Sequence, residues 1–305
     1  MKKVLCIVGP TGVGKSDLGV NLAKQFHGEI ISGDSIQVYR ELNVGSAKVT
    51  EEEMQGVPHY LIDILDIDQE YNVNDFQKRA RDCIEDISNR GKLPMIVGGT
   101  GLYVKATLYD YDFPETERLN EEEYASFSNE ELMEELKVLD AQSADEIHVN
   151  NRKRLLRALH LAKTGNKKSE TVALQKHEPI YDAYIIGLTM PRDALYERIN
   201  LRVDKMYQNG LKEEMDALVK KYPDFFTFRS SQGIGYREWE AYYINKEKEV
   251  PEVLDDIRKN SRHFARRQYT WFNHQMQVHW FDITDPAYPE NVKKEIEIWI
   301  NAGKD

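Results

Sequence analysis

Residues 9–16 read GPTGVGKS, and no other stretch restricts the fold of this chain so strongly. An apolar run at residues 4–8 precedes it and a helix-forming run follows it. Gly9, Gly14, Lys15 and Ser16 occupy the constrained positions of a phosphate loop, G-x-x-x-x-G-K-[ST], with Thr11 and Gly12 inside the loop. Such a loop turns its backbone N–H groups inward at the start of a helix and forms an anion nest. Lys15 adds a point charge for terminal phosphates, and the Ser16 hydroxyl is placed to reach a Mg²⁺ ion. The pattern predicts a bound polyphosphate. It does not say whether that compound is ATP.

The rest of the chain fits a sheet built around this loop. KVLCIVG, EIISGDS, HYLIDIL, LPMIVGG and YDAYIIGLTM read as strands, separated by helical segments. One of these, NVNDFQKRARDCIEDISNRGK, has Asn74 as its candidate cap and Phe76, Ala80, Cys83, Ile84 and Ile87 at helical spacing. Strands alternating with helices predict an α/β fold, a parallel P-loop, kinase-like sheet with helices on both faces. The alternation stops at residues 112–180, which open acidic (FPETERLNEEEYASFSNEELMEEL) and turn basic (NNRKRLLRALHLAKTGNKK). These residues read as a helical insertion domain, leaving 1–111 and 181–305 as the catalytic core. After Met190 the chain reads as nearly all helix.

Composition narrows the function classes. The 305-residue chain carries a formal charge of -11, which argues against a general nucleic-acid coat protein but not against a local basic surface. No apolar run approaches the roughly 18 residues needed to span a bilayer, so no membrane association and a cytoplasmic location are expected. The two cysteines, Cys6 and Cys83, are far apart and lack metal-ligand spacing, so both read as reduced thiols. His274 and His279 lack the partners a zinc finger needs. Nothing marks a dimer surface, and a monomer is expected.

Two features set the loop apart from an ordinary ATPase. The strand LPMIV runs into GGTG, with no acid where a nucleotide hydrolase would help hold Mg²⁺. The second strand instead ends in Asp34, at the edge where open α/β sheets bind ligands. A bare carboxylate there repels phosphate, so its better use is as a general base on a second substrate. Capping a turn is the plainer alternative.

Taken together, the motifs resemble one family, the tRNA dimethylallyltransferases, in the shorter bacterial form without a zinc finger after the last motif. The resemblance rests on GPTGVGKS (9–16), DSIQVYRELNVGSAK (34–48), PHYLID (58–63), GGTGLY (98–103), RLLRAL (154–159), QGIGYRE (232–238) and ARRQYTWF (265–272). It implies transfer of a dimethylallyl group from dimethylallyl diphosphate to the exocyclic amine of adenine at tRNA position 37. The loop (Gly9, Thr11, Gly12, Gly14, Lys15, Ser16) would then hold the diphosphate, with Mg²⁺ at Ser16. By the same resemblance, Thr100 sits near the bridging oxygen, Arg202 contacts the diphosphate, and Asp34 orients the amine or takes its proton. Ser35, Ile36 and Gln37 would flank the adenine, the Gln37 amide being suited to a base edge. Without the resemblance, Thr100 reads equally as a helix cap, Arg202 as a solvated charge and Gln37 as a surface amide.

A stacked base does not reach an enclosed site, so the adenine is expected to flip out of the anticodon loop. Backbone contacts need local positive charge. Two runs offer it: Arg152, Lys153, Arg154 and Arg157 in the insertion, and Arg258, Arg262 and Arg266 at four-residue spacing, with Lys259, Arg267, Trp271 and Phe272 nearby. The insertion is expected to clamp the anticodon stem-loop. Small departures from the family pattern, HVNNRKR at 148–154 and GSAKV at 45–49, spare the chemical positions. Three other readings stay open on the residues: prenylation of free AMP or ADP, a small-molecule kinase, and an RNA-binding protein on a catalytically dead scaffold.

Overall fold

A computed structural model describes residues 1–111, 113, 119–167, 169–170 and 178–302. Two compact units emerge, residues 1–108 with 180–305 and residues 109–179. Parts of the insertion's acidic opening (114–118) and of its basic end (171–177) lie outside the described residues.

The larger unit is built on a six-stranded parallel sheet of order β3-β2-β4-β1-β5-β6. Its first elements are β1 (Lys3–Val8), α1 (Lys15–Gln25), β2 (Gly28–Ser32), β3 (His59–Tyr60), α2 (Val73–Asn89), β4 (Leu93–Val97) and α3 (Gly101–Leu108). Side-chain alternation along the strands divides the core. Leu5, Ile7, Ile186 and Leu188 bury with Leu18, Leu22, Leu195, Ile199, Val292 and Ile296 from helices on one face. On the other face lies α2, with Phe76, Ala80, Ile84 and Ile87 fully buried.

Several local expectations need correcting. The cap of α2 is Asn72, not Asn74: its side chain accepts from Asn74 N and Asp75 N, while Asp75 returns a bond from Asn72 N. Gln77, three residues beyond Asn74, is buried and donates to the Ala106 carbonyl, so it does not complete a cap there. Cys83 is only partly buried, off the main stripe. Of the third apolar run only His59–Tyr60 pairs as a strand; Asp63 and Ile64 N–H groups donate to Gln37 O and Val38 O, so the run lines the loop after β2.

The smaller unit contains α4 (Asn129–Leu139), α5 (Ala141–Glu146) and α6 (Arg152–Lys163), with short helical turns around them. Leu132, Leu136, Ile147, Leu155, Leu156 and Leu159 form its core. Buried Asp140 caps α5 through Ser143 N at 3.1 Å and also accepts from Ser143 Oγ and Ser169 N. Burial works to raise this carboxyl, but the serine hydrogen bonds outweigh it and hold it at about 2.

The chain then completes the larger unit with β5 (Asp182–Thr189), α7 (Arg192–Gln208), α8 (Leu211–Lys221), α9 (Val250–Gln275), β6 (His279–Asp282) and α10 (Tyr288–Asn301). Strand β6 is absent from the sequence-based expectation of an all-helical tail. It is a four-residue, half-exposed edge strand, too short for a clear alternation. Among the described residues, no helix is long and apolar enough to cross a membrane.

A half-buried ion pair ties the sheet to the residue that ends α2. Glu29 on β2 accepts from both Arg90 Nη atoms at 2.7 and 2.6 Å and from Tyr60 Oη at 2.8 Å. The Arg90 bonds lead in holding the Glu29 carboxyl below its usual range, against the opposing effect of burial. A lowered folded-state pKa contributes stability above the unfolded carboxyl's value of about 4.3 and loses it as pH falls through the folded value. E29Q is therefore expected to lower the urea midpoint at neutral pH. The gap to wild type should narrow as pH falls below about 4.3 and through the lowered folded-state value. An unchanged gap at low pH would show that the loss comes from packing, not charge.

Candidate active site

Because every strand runs the same way, the segments following β1, β2 and β4 emerge at one edge of the sheet. They carry the phosphate loop, Asp34 and Thr100. The glycines let these segments touch. A Cβ on Gly98 would lie 2.4 Å from the Gly33 backbone, and one on Gly9 would lie 2.7 Å from Leu188 O. Thr100 N donates to Gly33 O at 3.3 Å, joining the loops after β2 and β4.

Gly14 precedes α1 with a left-handed backbone (φ 99°) and offers no side chain to cap the helix. The first N–H groups of α1 are thus left for an anion. Lys15 Nζ donates to Pro10 O at 2.8 Å. Desolvation first, then repulsion from Arg202, pushes this lysine down to about 7, with Asp34 opposing the shift. Arg202, from α7, donates to Thr11 Oγ1 and reaches Ser46 O at 3.5 Å. Burial lowers its guanidinium too, again opposed by Asp34, but an arginine retains its charge. Two desolvated cations face one carboxylate, so the site has an excess of positive charge that an anion would balance.

Asp34 closes a turn with one of its oxygens, the plainer of the two roles considered for it. Its Oδ1 accepts from Ile36 N at 2.8 Å and Gln37 N at 3.3 Å, closing a turn. Its Oδ2 takes no hydrogen bond from the described residues and remains available to a substrate. Thr100 stands at the start of α3 and accepts from Tyr103 and Val104 N through its carbonyl. Its hydroxyl forms no cap. Gln37 is not a surface amide: it is half-buried, 3.5 Å from Ser32 Oγ and 3.3 Å from Ala47 O. Ile36 packs on Gly233, where a Cβ would come within 2.8 Å of it. Ser35 is half-buried, and Ser16 is exposed on the first turn of α1.

Residues from distant parts of the chain hold this edge together, and the sequence reading gave them no role. Gln268 on α9 is 5% exposed; its Oε1 accepts from Thr11 N at 2.9 Å and its Nε2 donates to Gly99 O at 3.0 Å. It occupies the apolar stripe of α9 between Ala265 and Phe272, and a lone polar residue at that spacing is the signal that marks it. Glu214 on α8 accepts from Asn43, Val44 and Gly45 N at 3.0, 2.7 and 3.0 Å, and from Tyr236 Oη at 2.8 Å. Tyr236 in turn accepts from Ser46 N at 3.1 Å, fixing the residue whose carbonyl meets Arg202.

The basic runs divide into engaged and exposed residues. Arg152 does not face a partner molecule: it donates to Phe127 O, Tyr124 O and Asn129 Oδ1 inside its own unit. Lys153, Arg154 and Arg157 are exposed on α6, and Arg157 also has a partner within the protein. Arg258 pairs with Asp204 and Asp255, and Arg262 donates to Asn200 Oδ1, so both turn toward α7 instead of solvent. Arg266 is exposed. With His263, Arg267, Thr270, Trp271 and His274 it lines a shallow depression of about 530 Å³. The Trp271 ring lies against Gly101, where a Cβ would sit 2.1 Å away. Among the described residues no group of three or more His, Cys, Asp and Glu gathers to hold a metal. An ion at Ser16 would therefore take most of its ligands from phosphate oxygens and water, a donor set that suits Mg²⁺.

The IPP transferase family model matches residues 37–275. A Bacillus subtilis tRNA dimethylallyltransferase is 47% identical, with 99% of this chain and 97% of that protein covered. The crystal structure of a Staphylococcus epidermidis tRNA delta(2)-isopentenylpyrophosphate transferase aligns at a TM-score of 0.73 and 42% identity, over 99% of each chain. A eukaryotic dimethylallyltransferase acting on tRNA aligns at a TM-score of 0.85 and 28% identity, over 99% of this chain and 79% of that one. The chain belongs to the tRNA dimethylallyltransferase family of prenyl-transferring enzymes.

Proposed function

We propose that this chain transfers a dimethylallyl group from dimethylallyl diphosphate to the exocyclic amine of the adenine at tRNA position 37. The observation that carries the reading is a free carboxylate oxygen, Asp34 Oδ2, near the Lys15 of the phosphate loop and the Arg202 that α7 brings to it. A kinase site would be expected to use an acid after β4 for its metal, and Gly98 and Gly99 follow that strand.

The allylic C–O bond breaks as the N–C bond forms. Positive charge grows on the allyl unit and negative charge on the leaving diphosphate. The uncapped N–H groups at the start of α1, Lys15 and Arg202 stabilise the leaving oxygens. Thr100 offers its hydroxyl to the bridging oxygen. The adenine amine is a weak nucleophile because its lone pair is delocalised into the ring, so orientation matters most. Asp34 Oδ2 accepts the amine proton and later releases it to solvent, while Ser35, Ile36 and Gln37 border the base. Ser16 would help hold a Mg²⁺ ion, which would supply further charge neutralisation at the leaving diphosphate. Lys153, Arg154 and Arg157 on the insertion, and Arg266 on α9, contact the anticodon stem-loop. Arg262 contributes indirectly, by tying α9 to Asn200 on α7.

The test is transfer of labelled dimethylallyl from its diphosphate to an unmodified anticodon stem-loop, with a guanine-37 loop and AMP as controls. Label is expected on the adenine-37 loop alone, and D34A should lower kcat by roughly 10²–10⁴-fold. Equal label on AMP would move the acceptor to free nucleotides, and ATP turnover with no prenyl transfer would return the site to a kinase.

Lys15 makes binding pH-dependent. Its pKa of about 7 in the free protein rises when an anion binds, so binding is coupled to proton uptake above that value. Affinity for inorganic diphosphate should therefore be greatest at or below about pH 7 and fall by up to about 10-fold per unit above it. Calorimetry on wild type beside K15M separates this from ionisation of the ligand, since K15M should show only the latter. Parallel profiles would remove Lys15 from the diphosphate site.

A further inference from the structure

The brace formed by Gln268 has no part in the chemistry just described, yet it joins both loops that would carry it. We propose that Gln268 is a positioning residue that sets the spacing between the phosphate loop and the Thr100 loop. This inference rests on the diphosphate reading of the site.

The geometry leaves Gln268 a single way to work. Thr11 N–H can only donate and the Gly99 carbonyl can only accept, so one orientation of the amide satisfies both, at 2.9 and 3.0 Å. The side chain is 5% exposed, so losing either bond strands a buried polar group. Gly99 is required for the approach, since a Cβ there would lie 2.1 Å from Gln268 Nε2. Buried Ala265 and Phe272, one turn to either side, fix the helix that delivers the amide. Thr11 is thus held from two sides, by Gln268 at its N–H and by Arg202 at its hydroxyl. Its N–H is directed to α9, which leaves the anion to the later N–H groups of the loop. Moving the two loops apart would separate the groups that bind the leaving diphosphate from the hydroxyl of Thr100.

Two variants test this in the full-length chain. Q268L keeps the bulk and removes both bonds. Q268E keeps an acceptor for Thr11 N–H but sets a carboxylate oxygen against the Gly99 carbonyl until it is protonated, when it again becomes a donor. Inorganic diphosphate binding with Mg²⁺ is measured by calorimetry, and transfer to the stem-loop by steady-state kinetics, with melting curves to confirm folding. For Q268L, diphosphate affinity and kcat/KM for the prenyl donor should each fall roughly 10–100-fold, with KM for the stem-loop changed less than about twofold. For Q268E, the deficit should shrink as pH falls from about 8.5 to about 6, because burial raises the introduced carboxyl.

Folded variants that match wild type in both diphosphate affinity and donor kcat/KM would overturn the proposal. So would a loss explained wholly by a smaller folded fraction, with donor and stem-loop parameters unchanged in the protein that remains. If Q268L does not fold, the pH-dependent recovery of Q268E decides: recovery supports positioning, and a flat deficit overturns it. If wild type binds diphosphate but transfers no prenyl group, the functional reading fails, and the diphosphate isotherms still decide the role of Gln268.

Discussion

The structure depends on holding two partly buried cations, Lys15 and Arg202, beside one carboxylate at the carboxyl edge of a parallel sheet. Desolvation disfavours both charges, and Asp34 offsets only part of that cost. Such an arrangement persists only where the surrounding chain holds each group in place. The Pro10 carbonyl receives Lys15, and Thr11 and Ser46 receive Arg202. The remaining imbalance is what makes the edge a receptor for an anion. Its proposed use for a diphosphate leaving group, in place of ATP, would be an instance of one scaffold serving different chemistry.

The supports for this edge come from far along the chain. Gln268 joins the first and fourth strand loops, and Glu214 gathers three successive N–H groups of the 43–45 turn. Close approach at Gly33–Gly98, Gly45–Tyr236 and Gly101–Trp271 excludes any side chain on the glycine. The consequence is a closely packed backbone framework on which Lys15, Asp34 and Arg202 are held in place before an anion binds, so that little reorganisation is needed when charge develops.

Charge alone misjudges which basic residues are available. Arg152 lies in the same run as Lys153 and Arg154, yet it donates to the carbonyls of Tyr124 and Phe127. Arg258 and Arg262 share helical spacing with Arg266, but the first two meet Asp204 and Asn200 on α7. A helical face extending over several turns need not have the same neighbour along its length. Where α7 covers it the arginines bind protein, and toward its carboxyl end Arg266 reaches solvent.

The phosphate loop, the parallel α/β core and the helical insertion were all legible in the sequence, because each rests on local pattern. Gly9, Gly14, Lys15 and Ser16 follow a fixed spacing, and the apolar runs repeat with the periods of strand and helix. The motif blocks also pointed to the family before any coordinates were considered. Local pattern failed where two candidates were chemically equal, as with Asn72 and Asn74, or where an element was too short to show a period, as with β6. The tertiary structure alone decided that one oxygen of Asp34 closes a turn while the other stays open. It also decided that Gln268 and Glu214 brace loops more than 160 residues away. Those outcomes depend on which distant donors and acceptors the packed chain brings within about 3 Å, and no local spacing encodes that.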